Sequence, residues 1–546
     1  MSKKQERNRS RPIAMWSGRF HEPLDPHFEA WQRSFPFDVR LLHQEVAASK
    51  AHARALATVG VLTEDELQKV LEGLNGLIKF VTKDSIQILI SLQQAVESSN
   101  YSEEIPVLRT LLSLSYVHTE PLLVSADSPD ISQTIVDSKR HFKAEDIHHF
   151  VEIALTKLIG ELALKLHTGR SRNEQIATDM RLFVRDAIDE TLQGLIAWRE
   201  ALVEQAKKVG NKVMPSYTHL QRAEPVLVAH WLLAYVAMLE RDFSRLTDCR
   251  KRLNLCPLGS GAIAGTTLAL DRRIAAEMLG FDAPTANSMD ATSDRDFALE
   301  FTQAVAVLGL HISRFAEELT LYATAEFGFL DLPERFSTGS SAMPQKKNPD
   351  LTELVRGKAG RLQGAAVTLA TLIKGLPLAY NKDLQEGQEP VFDAADTIHG
   401  ILSLLPEFTR ALRFRFDRMK TASERGYLNA MAAATYLTHK GLPFRKAHEK
   451  IGQAVRLGLE SNRELNELTL DELRGFAEEF DADFFAAITL EATLDCHDVI
   501  GGTARSRVKT AITTASERIM SDQRALEAYR AQSAGKSSNK NTLERA

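Results

Sequence analysis

No proline interrupts the chain between Pro129 and Pro215, and inside that window residues 173–208 carry a helical apolar rhythm. Ile176, Met180, Phe183, Ile188, Leu192, Ile196 and Leu202 recur mostly every three to five residues, which places them on one face of an α-helix. Such a helix is ~50 Å long at 1.5 Å per residue, too long for an ordinary small domain. A rod of that length buries its apolar stripe only against other rods. Comparable helical stretches follow at 225–255, 294–326, 351–376 and 390–415, joined by short connectors. The predicted fold class is therefore all-α, an extended bundle of long helices. Residues 231–239, WLLAYVAML, are apolar around most of the circumference, so burial on more than one side is expected. Association of bundles between subunits would supply it, and a homo-oligomer follows.

A chain of 546 residues exceeds a single ordinary core. Residues 1–149 read as an N-terminal helical domain. Within it Val39, Leu41, Leu42, Val46, Ala53 and Leu56 recur at roughly helical spacing, with Ser49 expected as a hydroxyl on that helix's surface. Thr63-Glu-Asp-Glu66 is a capping box for a further helix through Leu67, Val70, Leu71 and Leu74. From about 81 to 139 apolar patches mix with Ser, Pro and Asp without a sustained period, which reads as an inserted or irregular segment. Residues 150–420 form the central long-helix domain, and 421–546 a small helical domain. Its tail, from Gln532 onward, is rich in Ser, Lys and Asn and has the composition of a disordered segment.

A net charge of −5 gives no footprint for nucleic acid. Cys249, Cys256 and Cys496 have neither metal-ligand spacing nor a disulfide framework, which fits a reducing compartment. No apolar run approaches the ~20 residues needed to cross a bilayer, and the basic start MSKKQERNRSRP lacks the apolar core of a signal peptide. A cytoplasmic location is expected. The histidines show no metal-ligand spacing, and no Walker-type phosphate loop is present. Gly259-Ser-Gly-Ala-Ile-Ala-Gly265 is glycine-rich but follows a helix rather than a strand, so it fails the context of a dinucleotide loop. Neither metal nor organic cofactor is expected.

The chemistry gathers in connectors. Ser337-Thr-Gly-Ser-Ser-Ala-Met-Pro-Gln-Lys-Lys-Asn-Pro-Asp350 is kept from being helical by Pro344 and Pro349, and offers two hydroxyls, two lysines and an amide. That composition suits an anionic ligand and equally a solvated linker. Leu166-His-Thr-Gly-Arg-Ser-Arg-Asn-Glu-Gln175 brings two arginines, whose forked guanidinium matches a carboxylate, or else a helix cap at Asn173 with surface arginines. Ser216-Tyr-Thr-His-Leu-Gln-Arg-Ala-Glu-Pro225 carries His219, an acid/base group with a pKa naturally near neutrality, or a surface residue. Asn287-Ser-Met-Asp-Ala-Thr-Ser-Asp-Arg-Asp296 and Ala379-Tyr-Asn-Lys-Asp-Leu-Gln-Glu386 add charge and a phenol, as ligands or as helix-start and connector residues.

Taken together these segments resemble the aspartase/fumarase superfamily, whose hallmark loop Gly-Ser-Ser-x-Met-Pro-x-Lys-x-Asn stands here as Gly339 to Asn348. Within it the chain is most similar to the argininosuccinate lyases, through Met15-Trp-Ser-Gly-Arg-Phe20, the 166–173 and 217–222 segments, Asn287–Asp290 with Ser293–Phe297, and Tyr380–Glu386. The resemblance implies three helical domains and a homotetramer whose central bundle comes from all four subunits, each active site combining loops from three chains. It implies reversible β-elimination of argininosuccinate to arginine and fumarate with no cofactor. Ser340 is then the base that removes the Cβ proton, and Lys346 and Asn348 stabilise the resulting aci-carboxylate. His219, with Thr218, falls where the leaving nitrogen is protonated. Ser49, Arg170, Arg172, Asn173, Arg295, Tyr380 and Gln385 match substrate-binding positions. Where members of the family often carry Asp-Lys, this chain has Gly387-Gln388, one cation fewer, and Glu174 replaces an Asp. A sister lyase acting on adenylosuccinate and a non-catalytic structural relative, as in lens crystallins, are the competing readings.

Overall fold

The computed structural model describes residues 24–78 and 144–533. The Met15–Phe20 motif, the irregular segment at 81–139 and residues 534–546 of the expected tail lie outside the described residues. The chain divides into two compact units, Met1–Thr168 and Gly169–Ala546.

In the first unit the apolar spacing after Val39 becomes a helix at Leu42–Thr58. The capping box closes as expected, with Thr63 N–H donating to Glu66 Oε2 at 3.0 Å and Glu66 N–H to Thr63 Oγ1 at 3.3 Å. It opens a helix over 64–78. The Ile147–Ile159 helix starts at Asp146, whose carboxylate accepts from His149 N–H, and ends at Gly160 with a φ of 68°. At Gly73 a Cβ would meet Leu155 Cδ1 at 2.7 Å, so the 64–78 and Ile147–Ile159 helices approach at a position only glycine fits. Ser49 is not a surface hydroxyl. It is fully buried and donates to Glu45 Oε1 at 2.8 Å, one turn back, while Glu45 Oε2 lies 2.7 Å from His148 Nδ1. Near this pair Asp38 is also buried, accepting from Ser34 Oγ at 2.7 Å. Burial, with the charge of Asp146 nearby, pushes its carboxyl up from 3.8 to about 7.

The second unit is built on six long helices, α1 (Arg172–Val209), α2 (Val228–Leu253), α3 (Asp296–Ala323), α4 (Asp350–Ile373), α5 (Gln388–Arg410) and α6 (Arg505–Ser533). Strands are confined to four two-stranded pairings among the described residues. The helix α1 is buried along most of its length, with Leu195, Trp198 and Leu202 fully inaccessible. Trp198 packs edge-on against Phe315 of α3 and donates through Nε1 to Thr409 Oγ1 of α5 at 3.0 Å. Near the start of α1, Arg181 donates to Leu253 O at the end of α2 and pairs with Asp294 just before α3. So α1, α3 and α5 run one way and α2 the other. The helix α4 is antiparallel to α3, since Thr352 near its start meets Thr320 near the end of α3 at 2.8 Å. The connectors therefore gather at two ends: 169–171, 254–295 and 374–387 at one, 210–227 and 324–349 at the other.

One expected boundary moves. The stretch predicted as helix from 225 begins only at Val228, because Gln221–Leu227 pairs antiparallel with Val213–Thr218. Pro215 and Pro225 face each other in that ladder, and neither has an N–H to offer it. Beyond α5, Leu437, Ile451, Leu473, Phe480 and Phe484 centre a separate hydrophobic cluster of short helices. The α6 helix then returns along α1, with Arg199 Nη1 2.6 Å from Asp522 Oδ2 and Arg250 Nη2 2.7 Å from Ser533 Oγ, so helix persists past Gln532.

The Asp38 environment makes a pH prediction. Its folded pKa lies above the unfolded value, so the unfolded chain ionises first as pH rises and this residue's contribution to stability is lost between about pH 4 and 7. Asp38→Asn is therefore expected to gain in Tm relative to the parent across that window and to hold a constant lead above it. Melts from pH 4 to 8 test this, and a pH-independent difference would contradict it.

Candidate functional site

At the first end, Gly169 has a φ of 67°, and a Cβ there would meet Leu268 Cδ1 at 2.7 Å. The chain then enters α1 through a capping box in which Ser171, not Asn173, is the cap. Arg170, Arg172 and Asn173 are half-buried, and the Asn173 amide donates to Ala262 O at 3.3 Å. Ser288 of the Asn287–Asp290 segment donates to Ile263 O at 2.9 Å, so both segments lean on the glycine-rich 259–265 loop. Arg295 is 5% exposed and donates to Asp294 O at 2.7 Å. Burial draws its guanidinium down to about 10, opposed by the nearby Tyr380, and it stays a cation at neutral pH. Tyr380 follows Ala379, a non-glycine residue with a φ of 68°. Gln385 is buried in the 3-10 turn Lys382–Gly387.

Arg295, Leu384 and Gln388 share the wall of a small, mainly apolar cavity with Ile176, Met180 and Leu369. The Oε1 atom of Gln388 is buried there and accepts no hydrogen bond from the described residues.

At the second end stand two hairpins. Thr218 closes one strand of the first, and His219 and Leu220, with φ of 55° and 57°, make its two-residue turn. Two consecutive positive φ values give a turn whose twist matches the flanking strands. A bulge between Pro215 and Tyr217 is filled by Ser216, whose hydroxyl donates to Glu224 O at 2.7 Å and accepts from Glu224 N–H at 3.2 Å. Thr218, His219 and Leu220 are exposed.

The second hairpin holds the serine loop. Thr338–Gly339 pairs with Lys347–Asn348, and Asp350, the first residue of α4, accepts from Thr338 N–H at 2.6 Å. Asn348 Nδ2 reaches Thr338 Oγ1 at 3.3 Å, while Lys347 donates to Leu332 O. Ser340 Oγ accepts from the N–H groups of Ala342 at 3.2 Å and Met343 at 3.1 Å. Ser340 is half-buried and Lys346 exposed.

Within one chain the expected residues thus form two groups. Arg170, Arg172, Asn173, Arg295, Tyr380 and Gln385 stand at one end, and Thr218, His219, Ser340, Lys346 and Asn348 at the other; Ser49 belongs to the first unit. The 38 residues of α1 separate Arg172 from the His219 hairpin by ~57 Å, and the 28 residues of α3 separate Arg295 from the Ser340 hairpin by ~42 Å. The burial of two carboxylates, Glu45 behind Ser49 and Glu174 behind Asn173, is not disclosed by the sequence, where each looks like an ordinary helix-surface glutamate.

The buried Gln388 carbonyl oxygen accepts no hydrogen bond from the described residues, so Gln388→Met, which keeps the shape, is expected to stabilise the fold by about 1 kcal/mol. Chemical denaturation measures the change, and a loss of stability would show that the amide is satisfied in solution.

Two family models match the chain, one described as Lyase over residues 135–364 and one described as Argininosuccinate lyase C-terminal over residues 427–495. An argininosuccinate lyase of Acidobacterium capsulatum is 59% identical over 93% of this chain and 95% of its own. One of Koribacter versatilis is 52% identical over 93% of this chain and 98% of its own. Among solved structures, an EDDS lyase in complex with formate superposes with a TM-score of 0.72 at 24% identity, over 91% of this chain and 90% of the other, which shows a shared fold. With identity at this level along nearly the whole length, the chain belongs to the argininosuccinate lyase family.

Proposed function

We propose that this protein catalyses the reversible β-elimination of argininosuccinate to arginine and fumarate. The observation that carries the reading is the hydrogen bonding of Ser340, whose Oγ accepts two backbone N–H groups in a hairpin flanked by Lys346 and Asn348. A serine is a poor base until its alkoxide is stabilised, and two fixed N–H donors favour the charged form. Ser341, the next residue, has no such pair of donors among the bonds of the hairpin, which supports Ser340 as the base.

In the proposed reaction Ser340 Oγ takes the Cβ proton. The electron pair left behind spreads into the adjoining carboxylate as an aci-carboxylate, opposite Lys346 and the Asn348 amide. Fixed donors aimed at developing charge are the largest stabilising influence available to such a step. The pair then re-forms as the C=C bond of fumarate while the C–N bond breaks, and the departing guanidino nitrogen receives a proton from the Thr218–His219 group. A guanidine is strongly basic and leaves best as the protonated cation. Arg170, Arg172, Asn173, Arg295, Tyr380, Gln385 and Ser49 hold the substrate in this reading.

A homotetramer with active sites shared between subunits belongs to the same proposal. The separation of ~57 Å along α1 supports it, since one small substrate cannot touch both ends of the rod. Antiparallel neighbours bring one chain's Ser340 end beside another's Arg172 end. The three-domain division at about 150 and 420 is part of the proposal too, supported by the separate cluster around Phe480 and Phe484. A cytoplasmic location completes it; among the described residues no helix is long and apolar enough to cross a membrane.

Ultraviolet detection of fumarate tests the activity. Release from argininosuccinate and none from adenylosuccinate is the expected result; the reverse would favour the sister lyase, and no release from either a non-catalytic relative. Ser340→Ala is expected to lower kcat by about 10²–10⁴-fold while native mass stays that of the tetramer. If sites are shared, dissociating and reassembling Ser340→Ala together with Arg172→Ala regains part of the activity that neither has alone. Mixtures as inactive as their parents would count against shared sites.

A further inference from the structure

The glycine-rich stretch rejected as a dinucleotide loop lies at the same end as the arginine loop and is fastened to it by one carboxylate. Glu174, in the first turn of α1, is fully buried. Its Oε1 accepts from Ser171 N–H at 3.1 Å, and its Oε2 from Gly261 N–H at 2.8 Å. A capping glutamate needs only the first of these bonds and ordinarily keeps its charge in water. Here the second oxygen spans to another loop, and backbone donors replace the lost hydration. Beside it Asn173 reaches Ala262 O.

The receiving loop is rigid. A Cβ on Gly261, whose φ is 61°, would meet Gly265 O at 2.8 Å, and one on Gly259 would meet Arg272 Cγ at 2.6 Å. Arg272 itself donates to Leu258 O at 2.9 Å, Ser260 Oγ at 3.0 Å and Thr285 O at 2.9 Å. The platform under the arginine loop is thus fixed from beneath, and Glu174 transmits its position upward.

We propose that Glu174 is a positioning residue for substrate binding: by bridging the N–H groups of Ser171 and Gly261 it sets where Arg170, Arg172 and Asn173 meet the substrate. The inference rests on the reading of the arginine loop as a substrate-binding element. Glutamine at 174 keeps one acceptor but turns an NH2 group toward a backbone donor, so one of the two bonds is lost. Alanine at Gly261 breaks the same bridge from the other side.

Steady-state kinetics with argininosuccinate test this on Glu174→Gln, Gly261→Ala and the double variant. Each single change is expected to raise KM roughly 10- to 100-fold with kcat little altered, the scale on which a misplaced binding group acts. The double variant should be little worse than the poorer single one, because both break one bridge. Glu174→Asp, which keeps the charge and shortens the reach, should fall between parent and Glu174→Gln, and it stands in if the others fail to fold. Glu472→Gln, in the Thr469–Glu472 capping box, controls for capping alone and should lower Tm without moving KM. A Glu174→Gln that loses only Tm, or additive effects in the double variant, would overturn the proposal. Asn173→Ala separates the two levels: an unchanged KM there defeats the substrate-loop reading itself, whereas a raised KM there with a normal one in Glu174→Gln defeats only the positioning role.

Discussion

Buried guanidinium groups along α1 hold the second unit in register. Arg181, Arg185 and Arg199 are at most 4% exposed. Arg181 reaches Leu253 O and Asp294 and stands 4.7 Å from the Phe297 ring centroid. Arg185 donates to Asn254 and Leu279 O, and Arg199 pairs with Asp522 and Glu240. From the facing helix, Arg250 forks onto Asp189 at 2.5 and 2.9 Å. Apolar stripes on parallel rods slide with little penalty, whereas a buried ion pair that slips by a turn leaves two desolvated charges. Breaking such a pair costs about 3–5 kcal/mol, so the arginines specify alignment more than they add stability.

That alignment decides what the ends of the bundle present. Arg181 and Arg185 grip the 254–295 connector, from which Arg295 and the glycine-rich loop emerge, so the end that carries the arginine loop inherits its geometry from the interior of α1. The opposite end is governed by short hairpins whose bonds close on themselves, as between Thr338 and Asp350. One end is stiffened by buried charge, the other by local backbone pairing. In the proposed reaction, a substrate with three carboxylates would be gripped by groups from the first end, and the two protons moved by groups from the second.

The all-α architecture was legible because long helices announce themselves by spacing alone, and the Thr63–Glu66 box because its two hydrogen bonds are local. The Val213–Leu227 hairpin was not, since its turn is His219-Leu220 rather than the Asn-Gly or Gly-containing pair that signals positive φ. The burial of Ser49 escaped for another reason. A serine and a glutamate one turn apart look solvated until His148, a hundred residues on, is seen closing over Glu45. As for the candidate site, its residue types were readable from loop composition. Their division between two ends depends on which helices run parallel, and that lies in long-range pairs such as Trp198–Phe315 that no local pattern encodes.

The tip of the Val213–Leu227 hairpin carries one more implication. Both turn positions are left-handed, a region that β-branched side chains resist and that histidine tolerates better than most. A threonine hydroxyl offered at this tip must therefore sit on the strand just before the turn, and the imidazole on the turn itself. The order Thr218 then His219 is dictated by backbone handedness, so exchanging the two residues would conserve every functional group and still deform the element that presents them.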